Sequence, residues 1–119
     1  MIEQHKELSD DAFIKSFKDC TLEEAQFTHE AHLRLAWLQI HHLGEIRAIQ
    51  MVTVMIMKYT KHVGAESIFN LDLTVAAVKL VAKLNALNNH ENFDSFMASN
   101  PMLKSDFKGL ILAHYGIEL

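Results

Sequence analysis

Residues 27–44 read FTHEAHLRLAWLQIHHLG and form the most apolar helical stretch of this 119-residue sequence. With about 100° of rotation per residue, one continuous apolar stripe runs along it. The stripe and its flanks hold His29, His32, Leu33, Ala36, Trp37, Ile40 and Leu43. Polar side chains occupy a narrow arc, in which Glu30 and Arg34 have the i, i+4 spacing of an ion pair facing water. A helix that is apolar on nearly all sides is normally buried, so we expect residues 27–44 to form the central helix of the fold.

Apolar periodicities before and after this stretch predict further helices, and no segment shows the alternation of a β-strand. The expected helices cover residues 10–18, 45–63, 73–87, 90–97 and 107–115. The expected N-caps are Ser9, Asp72 and Asn89, and a capping box is expected at Thr21–Glu24. These features predict an all-α fold, a compact bundle of five or six helices. We expect a single domain over residues 1–119, with residues 1–8 as a flexible N-terminal tail.

The composition predicts a cytoplasmic protein that binds neither nucleic acid nor membrane. The formal net charge is −4, and no cluster of lysine and arginine is present to meet phosphates. Cys20 is the single cysteine, so no disulfide can form within the chain, which fits a reducing compartment. The polar N-terminal residues differ from a secretory signal, and the longest apolar run, residues 46–59, is too short and too polar to span a bilayer.

His29 and His32 are the main candidates for chemistry because residues three positions apart are neighbours on a helix surface. Two imidazoles at this spacing can ligate one divalent transition metal ion, or one of them can act as a catalytic general acid or base near neutral pH. A zinc site needs at least three protein ligands, however, and His-Glu-x-His differs from the His-Glu-x-x-His of zinc proteases. The alternative is that both histidines are structural, each satisfied by a hydrogen bond within the fold.

Three segments of the chain resemble the motifs of a family of small, largely uncharacterised bacterial all-helical proteins. The first segment is Phe27-x-His29-x-x-His32-Leu33-x-Leu35-Ala36-Trp37, and the last is Phe93-x-x-Phe96-x-x-x-Asn100-Pro101-x-Leu103. Between them, residues 69–74, FNLDLT, stand where the family has Tyr-His-x-Thr-x-Thr. The resemblance implies a helical fold and a site near the first segment and residues 69–74. This chain has Asn70 in place of a third histidine, which argues against a metal because an amide is a poor ligand for zinc or copper.

Two functions follow from these patterns, and the sequence leaves open whether either involves catalysis. In the first, a small molecule or a divalent transition metal binds at one end of the helical core, where bundles commonly hold such sites. The residues expected to converge there are His29, His32, Trp37, Tyr59, His62, Asn70, Asp72 and Thr74. In the second, the protein is a non-catalytic interaction module or homodimer with structural histidines. Its exposed apolar patch would contain Trp37, Leu38, Val54 and Met57.

Overall fold

Seven α-helices make up most of residues 4–118, the part of the chain that the structure, a computed structural model, describes. They are α1 (Asp10–Lys18), α2 (His29–Leu43), α3 (Glu45–His62), α4 (Leu71–Leu87), α5 (Phe93–Ser99), α6 (Met102–Ser105) and α7 (Phe107–Tyr115). Short 3₁₀ helices lie at Gln4–Glu7, Glu24–Gln26 and Glu66–Ile68. No strand occurs between residues 4 and 118. The predicted all-α class and compact single domain are confirmed, and the helix number exceeds the expected five or six because α6 is a separate turn.

Helix α2 lies at the centre of the bundle, as its apolar sequence predicts. The side chain of Thr28 caps its first turn by accepting a hydrogen bond from the backbone N–H of Ala31 at 3.2 Å. Gly44 ends the helix with a backbone φ of 82°, which residues with a Cβ rarely adopt. Most residues of α2 are buried, and the helix packs against α3, α4 and α5. Because Gly44 alone connects α2 to α3, these two helices lie side by side along one face of the core.

Glu30 and Arg34 of α2 are buried, so the prediction that they face water as an ion pair is wrong. The guanidinium group of Arg34 donates to the backbone carbonyls of His5 at 2.6 Å and Leu8 at 2.8 Å. It also donates to a carboxylate oxygen of Asp10 at 2.9 Å. A buried charge is tolerated where hydrogen bonds replace its water shell, and these bonds do so for Arg34.

The segment before α1 is held against α2 by this network, which differs from the flexible tail expected at residues 1–8. Residues 1–3 lie outside the described part of the chain. Gln4–Glu7 form a 3₁₀ helix in which His5 is fully buried. The ammonium groups of Lys6 and Lys104 lie 3.6 and 3.5 Å from the carboxylate of Glu30. The N-terminal turn is therefore part of the packed domain from Gln4 onward.

Two helices begin at a different capping residue from the one predicted. Asn70 caps α4 instead of Asp72, and Asn92 caps α5 instead of Asn89. In each case the amide oxygen accepts a hydrogen bond from the backbone N–H three residues later, at 3.0 and 2.8 Å. Several Asn and Asp residues close together offer competing caps, and packing of the helix decides among them. The cap at the start of α4 also uses the amide oxygen of Asn70, one of the predicted site residues.

The cap predicted at Ser9 is confirmed, whereas the capping box predicted at Thr21–Glu24 is displaced. Ser9 Oγ accepts a hydrogen bond from the backbone N–H of Ala12 at 3.2 Å. Farther along, the side chain of Gln26 accepts from the backbone N–H of Glu23 at 3.4 Å, and a 3₁₀ helix forms there. No helix within residues 4–118 is long and apolar enough to cross a membrane.

Candidate functional site

A cavity of about 310 Å³ lies between α2, α3, α4 and the start of α7. Its aliphatic wall is formed by Leu33, Ala36, Val52, Ile56, Leu73, Ala77 and Val78. The rings of Phe27, Phe69 and Phe107 add an aromatic wall. Ile68 belongs to the rim, because it borders the cavity and is nevertheless 74% exposed. The volume is at the small end of the range of about 300–1,000 Å³ that is typical of small-molecule sites.

Four of the residues predicted to form a site line this cavity. His29 and His32 reach it from the first turn of α2, and Asn70 and Thr74 reach it from the start of α4. The two sequence segments that carry the first and middle motifs therefore meet at one place, although about forty residues separate them. The i, i+3 spacing of the histidines and the i, i+4 spacing of Asn70 and Thr74 put each pair on one helix face.

The other predicted residues are not among those that line the cavity. Asp72 is exposed on α4, two residues from Thr74 and hence on a different face of the helix. The hydroxyl of Tyr59 donates to the backbone carbonyl of Leu22 at 2.6 Å, deep in the core. Trp37 is buried beside α5, and His62 is exposed at the end of α3.

His32 is held in one orientation by its own helix and by an aromatic neighbour. Its Nδ1 lies 2.9 Å from the backbone carbonyl of Thr28, and its ring lies on that of Phe27, with 3.9 Å between the ring centroids. A carbonyl only accepts, so Nδ1 donates and carries the proton. In the neutral ring, Nε2 then carries a lone pair, and no hydrogen bond from the described residues 4–118 reaches it. His32 thus presents a hydrogen-bond acceptor or general base at the cavity.

The charge state of His32 follows from its surroundings. Burial lowers its pKa below the ordinary value of 6.5, because the charged ring loses its water shell. The bond to the Thr28 carbonyl acts in the opposite direction, and the nearby His29 lowers the pKa further. We therefore take His32 as neutral at pH 7, with its Nε2 lone pair available.

His29 is anchored from the opposite end of the chain. Its Nε2 lies 2.9 Å from the backbone carbonyl of Leu103 in α6, and its ring packs edge-on against Phe107, with 4.5 Å between the ring centroids. By the same argument Nε2 donates to Leu103, which leaves Nδ1 as the acceptor in the neutral form. One nitrogen of each imidazole is therefore hydrogen-bonded within the fold, as expected if the two histidines are structural. The other nitrogen has no hydrogen-bond partner among the described residues.

The cavity offers few charges and no metal cluster. Among its described lining residues there is no Asp, Glu, Lys or Arg. Residues 4–118 also hold no group of three or more His, Cys, Asp and Glu side chains placed to bind one metal ion. Where the resemblance implies a third histidine, Asn70 uses its Oδ1 to cap α4. The cavity thus brings together two histidines, fewer than the three protein ligands that a zinc site needs.

Several lining residues were not predicted from the sequence as part of a site. Thr60 could have been found, because Val52, Ile56 and Thr60 repeat every four residues and so share a face of α3. Phe107 could not, because it comes from a separate helix near the end of the chain, and no periodicity links it to His29.

Comparisons of this chain with models of known families, with curated proteins and with solved structures gave no match.

Proposed function

We propose that this protein binds a small, uncharged organic molecule in the cavity between α2, α3 and α4. The observation that carries the proposal is the composition of that cavity: apolar and aromatic walls, with a few polar residues, namely His29, His32, Thr60, Asn70 and Thr74. Small-molecule sites typically combine a mainly apolar surface with a few polar groups that orient the ligand. Helix bundles build such sites from the facing sides of their helices.

The charge of the ligand follows from the same residues. A carboxylate, phosphate or ammonium group in this cavity would lose its water shell without gaining an opposite charge from the described lining residues. Burying an unpaired ion costs far more than burying a hydroxyl or an amide. Neutral molecules are therefore favoured. His29 and His32 remain the candidate catalytic pair if the ligand is a substrate, and a bound divalent metal is not part of this proposal. The cytoplasmic location expected from the single cysteine stays a prediction.

Binding can be tested with the neutral fluorescent probe N-phenyl-1-naphthylamine, whose emission rises in apolar sites. We expect saturable binding to the wild-type protein and at least about tenfold weaker binding to Ala77→Phe, which places a ring in the cavity. The matched control is Ala86→Phe, because Ala86 is exposed on the same helix and is not one of the lining residues. Circular dichroism of each variant checks that the helices are retained. Equal probe binding by Ala77→Phe and Ala86→Phe, with both folded, would place the probe elsewhere and contradict the proposal.

Self-association through α3 is the second candidate function. Ile46, Val54 and Met57 lie on one side of this helix and are 75%, 59% and 50% exposed. The patch predicted from the sequence was wrong in part, because Trp37 and Leu38 are buried in the core. Light scattering coupled to size-exclusion chromatography tests this candidate. A homodimer that dissociates on Val54→Glu substitution would support it, and a wild-type monomer at high concentration would exclude it.

A further inference from the structure

The hydrogen-bonding groups of the cavity are unequal, because several are already used within the protein. The hydroxyl of Thr60 donates to the backbone carbonyl of Ile56 at 2.8 Å. The Oδ1 atom of Asn70 accepts from the backbone N–H of Leu73 at 3.0 Å, which leaves its NH₂ group as a donor. His32 Nε2 has no partner among the described residues and can only accept while the ring is neutral. His29 Nδ1 is also open, but His29 is exposed, so the imidazole acceptor of the cavity that is better shielded from water is His32 Nε2.

The orientation of that nitrogen is fixed. Turning the His32 ring over would break its 2.9 Å bond to the Thr28 carbonyl, and the Phe27 ring covers one of its faces. A ligand group that only accepts hydrogen bonds would meet the Nε2 lone pair and be repelled. A ligand hydroxyl or N–H group would satisfy it. At the position of His32 Nε2 the site therefore favours a hydrogen-bond donor over an acceptor without using a charged residue.

His41 has the same local geometry but does not line the cavity, so it serves as a comparison for His32. Its Nδ1 lies 3.3 Å from the carbonyl of Trp37, four residues earlier, and its ring lies on that of Trp37 at 3.9 Å. His41 is exposed, however, and water can bond to its free nitrogen. His32 is less exposed than His41 and lines a mainly apolar cavity, so a ligand bound there competes with less water for its free nitrogen.

We infer that the ligand is a neutral, compact alcohol, phenol or N–H heterocycle that donates its hydrogen bond to Nε2 of His32 while its ring or hydrocarbon body packs against Phe27, Phe69 and Phe107. This inference rests on the proposed function and names the class of molecule that the cavity takes. The NH₂ group of Asn70 offers a complementary donor to an acceptor on the same ligand. Aromatic bodies are favoured because the three rings permit edge-to-face contacts with them.

The test compares two bicyclic probes of nearly the same shape, indole, which has an N–H donor, and benzofuran, which has an ether oxygen there. Affinities are measured from backbone amide shifts in NMR titrations, which remain accurate for weak ligands. A net hydrogen bond predicts that indole binds the wild-type protein roughly 3- to 10-fold more tightly. In His32→Phe, which keeps a ring on Phe27 and removes the acceptor, the preference for indole should be lost, because its N–H group no longer has a partner. The matched control His41→Phe should keep the wild-type ratio.

A second measurement uses only the wild-type protein, so it does not depend on whether a variant folds. The ¹⁵N resonances of His32 in the wild-type protein should show a shift at Nε2 when indole is added and no comparable shift with benzofuran. Equal affinities of the two probes in the wild-type protein, or a preference that survives in His32→Phe, would overturn the inference. The proposed function would then still stand if the Ala77→Phe substitution blocks N-phenyl-1-naphthylamine. If neither bicyclic probe binds in the cavity, the inference fails. If Ala77→Phe also leaves the binding of N-phenyl-1-naphthylamine unchanged, the proposed function fails with it.

Discussion

Replacing Arg34 by methionine should destabilise the protein strongly, although the sequence places this residue on a polar arc. Arg34 is 6% exposed, and its guanidinium lies over the ring of Phe13 at 4.4 Å. Methionine keeps much of the apolar stem and removes the charge. The substitution therefore reports on the hydrogen bonds that join α2 to the N-terminal turn.

The expected loss can be worked from those bonds. Hydrogen bonds that involve a charged group contribute roughly 1.5–3 kcal/mol each, and Arg34 makes two of them to the carbonyls of His5 and Leu8. Its contact with Asp10 adds little, because the Asp10 side chain is more than half exposed and such pairs are worth about 0–1 kcal/mol. Methionine does not carry the free-energy cost of burying a charged guanidinium, and this offsets part of the stability lost with the hydrogen bonds. We expect the free energy of unfolding to fall by about 3 kcal/mol in Arg34→Met and by no more than about 1 kcal/mol in Asp10→Ala.

Urea denaturation followed by circular dichroism measures both values, and a loss of about 3 kcal/mol corresponds to a fall in Tm of roughly 10 °C in a domain of this size. Arg47→Met is the control, since Arg47 is exposed on α3. If Arg34→Met changes the stability no more than Arg47→Met does, the N-terminal turn is not anchored as described, and the argument from buried charge-assisted bonds is refuted.

Three further predictions concern the cavity and the α2–α3 connection. Because folding lowers the pKa of His32, this residue contributes fully to the free energy of unfolding above pH 6.5, and the contribution is lost as the pH falls from 6.5 through the folded-state pKa. Urea titrations across this pH range should show a fall in the free energy of unfolding of the wild-type protein and a smaller fall in His32→Phe. Ile68→Asp should weaken binding of N-phenyl-1-naphthylamine in the fluorescence titration, since Ile68 borders the cavity. Leu87→Asp is the control, because Leu87 has a similar exposure (71%) but does not line the cavity, and it should leave the affinity unchanged. Gly44→Ala should cost about 1–3 kcal/mol through its φ of 82°, measured by thermal unfolding, and a neutral effect would show that the connection relaxes freely.

The burial of Glu30 and Arg34 could not be predicted from the sequence. Glu30 and Arg34 have ideal spacing for an exposed ion pair, and nothing local contradicts that interpretation. Their actual partners come from the N-terminal turn and from Lys104 in α6, which lie far from α2 along the chain. Periodicity reports which face of a helix is polar, but it does not report whether another segment covers that face.

Sequence reasoning found only some of the residues that line the cavity, for a similar reason. Spacing alone placed His29 and His32 on one surface, and the resemblance pointed to residues 69–74. Of Asn70, Asp72 and Thr74, the structure places Asn70 and Thr74 at the cavity and leaves Asp72 exposed on another face of α4. Tyr59 was a reasonable candidate as a polar aromatic residue, yet its hydroxyl is used within the core.

The sequence by itself determined the all-α class, the central place of residues 27–44, the sharp connection at Gly44 and the pairing of His29 with His32. These features depend on interactions within a few turns of one helix, where the period of about 3.6 residues sets the geometry. Only the tertiary structure decided that a cavity exists, that Phe107 and Leu103 reach His29, and that His32 lines the cavity together with apolar and aromatic side chains. Those outcomes depend on how separate helices pack, because a cavity is the space that several surfaces leave between them, and no single segment encodes its shape.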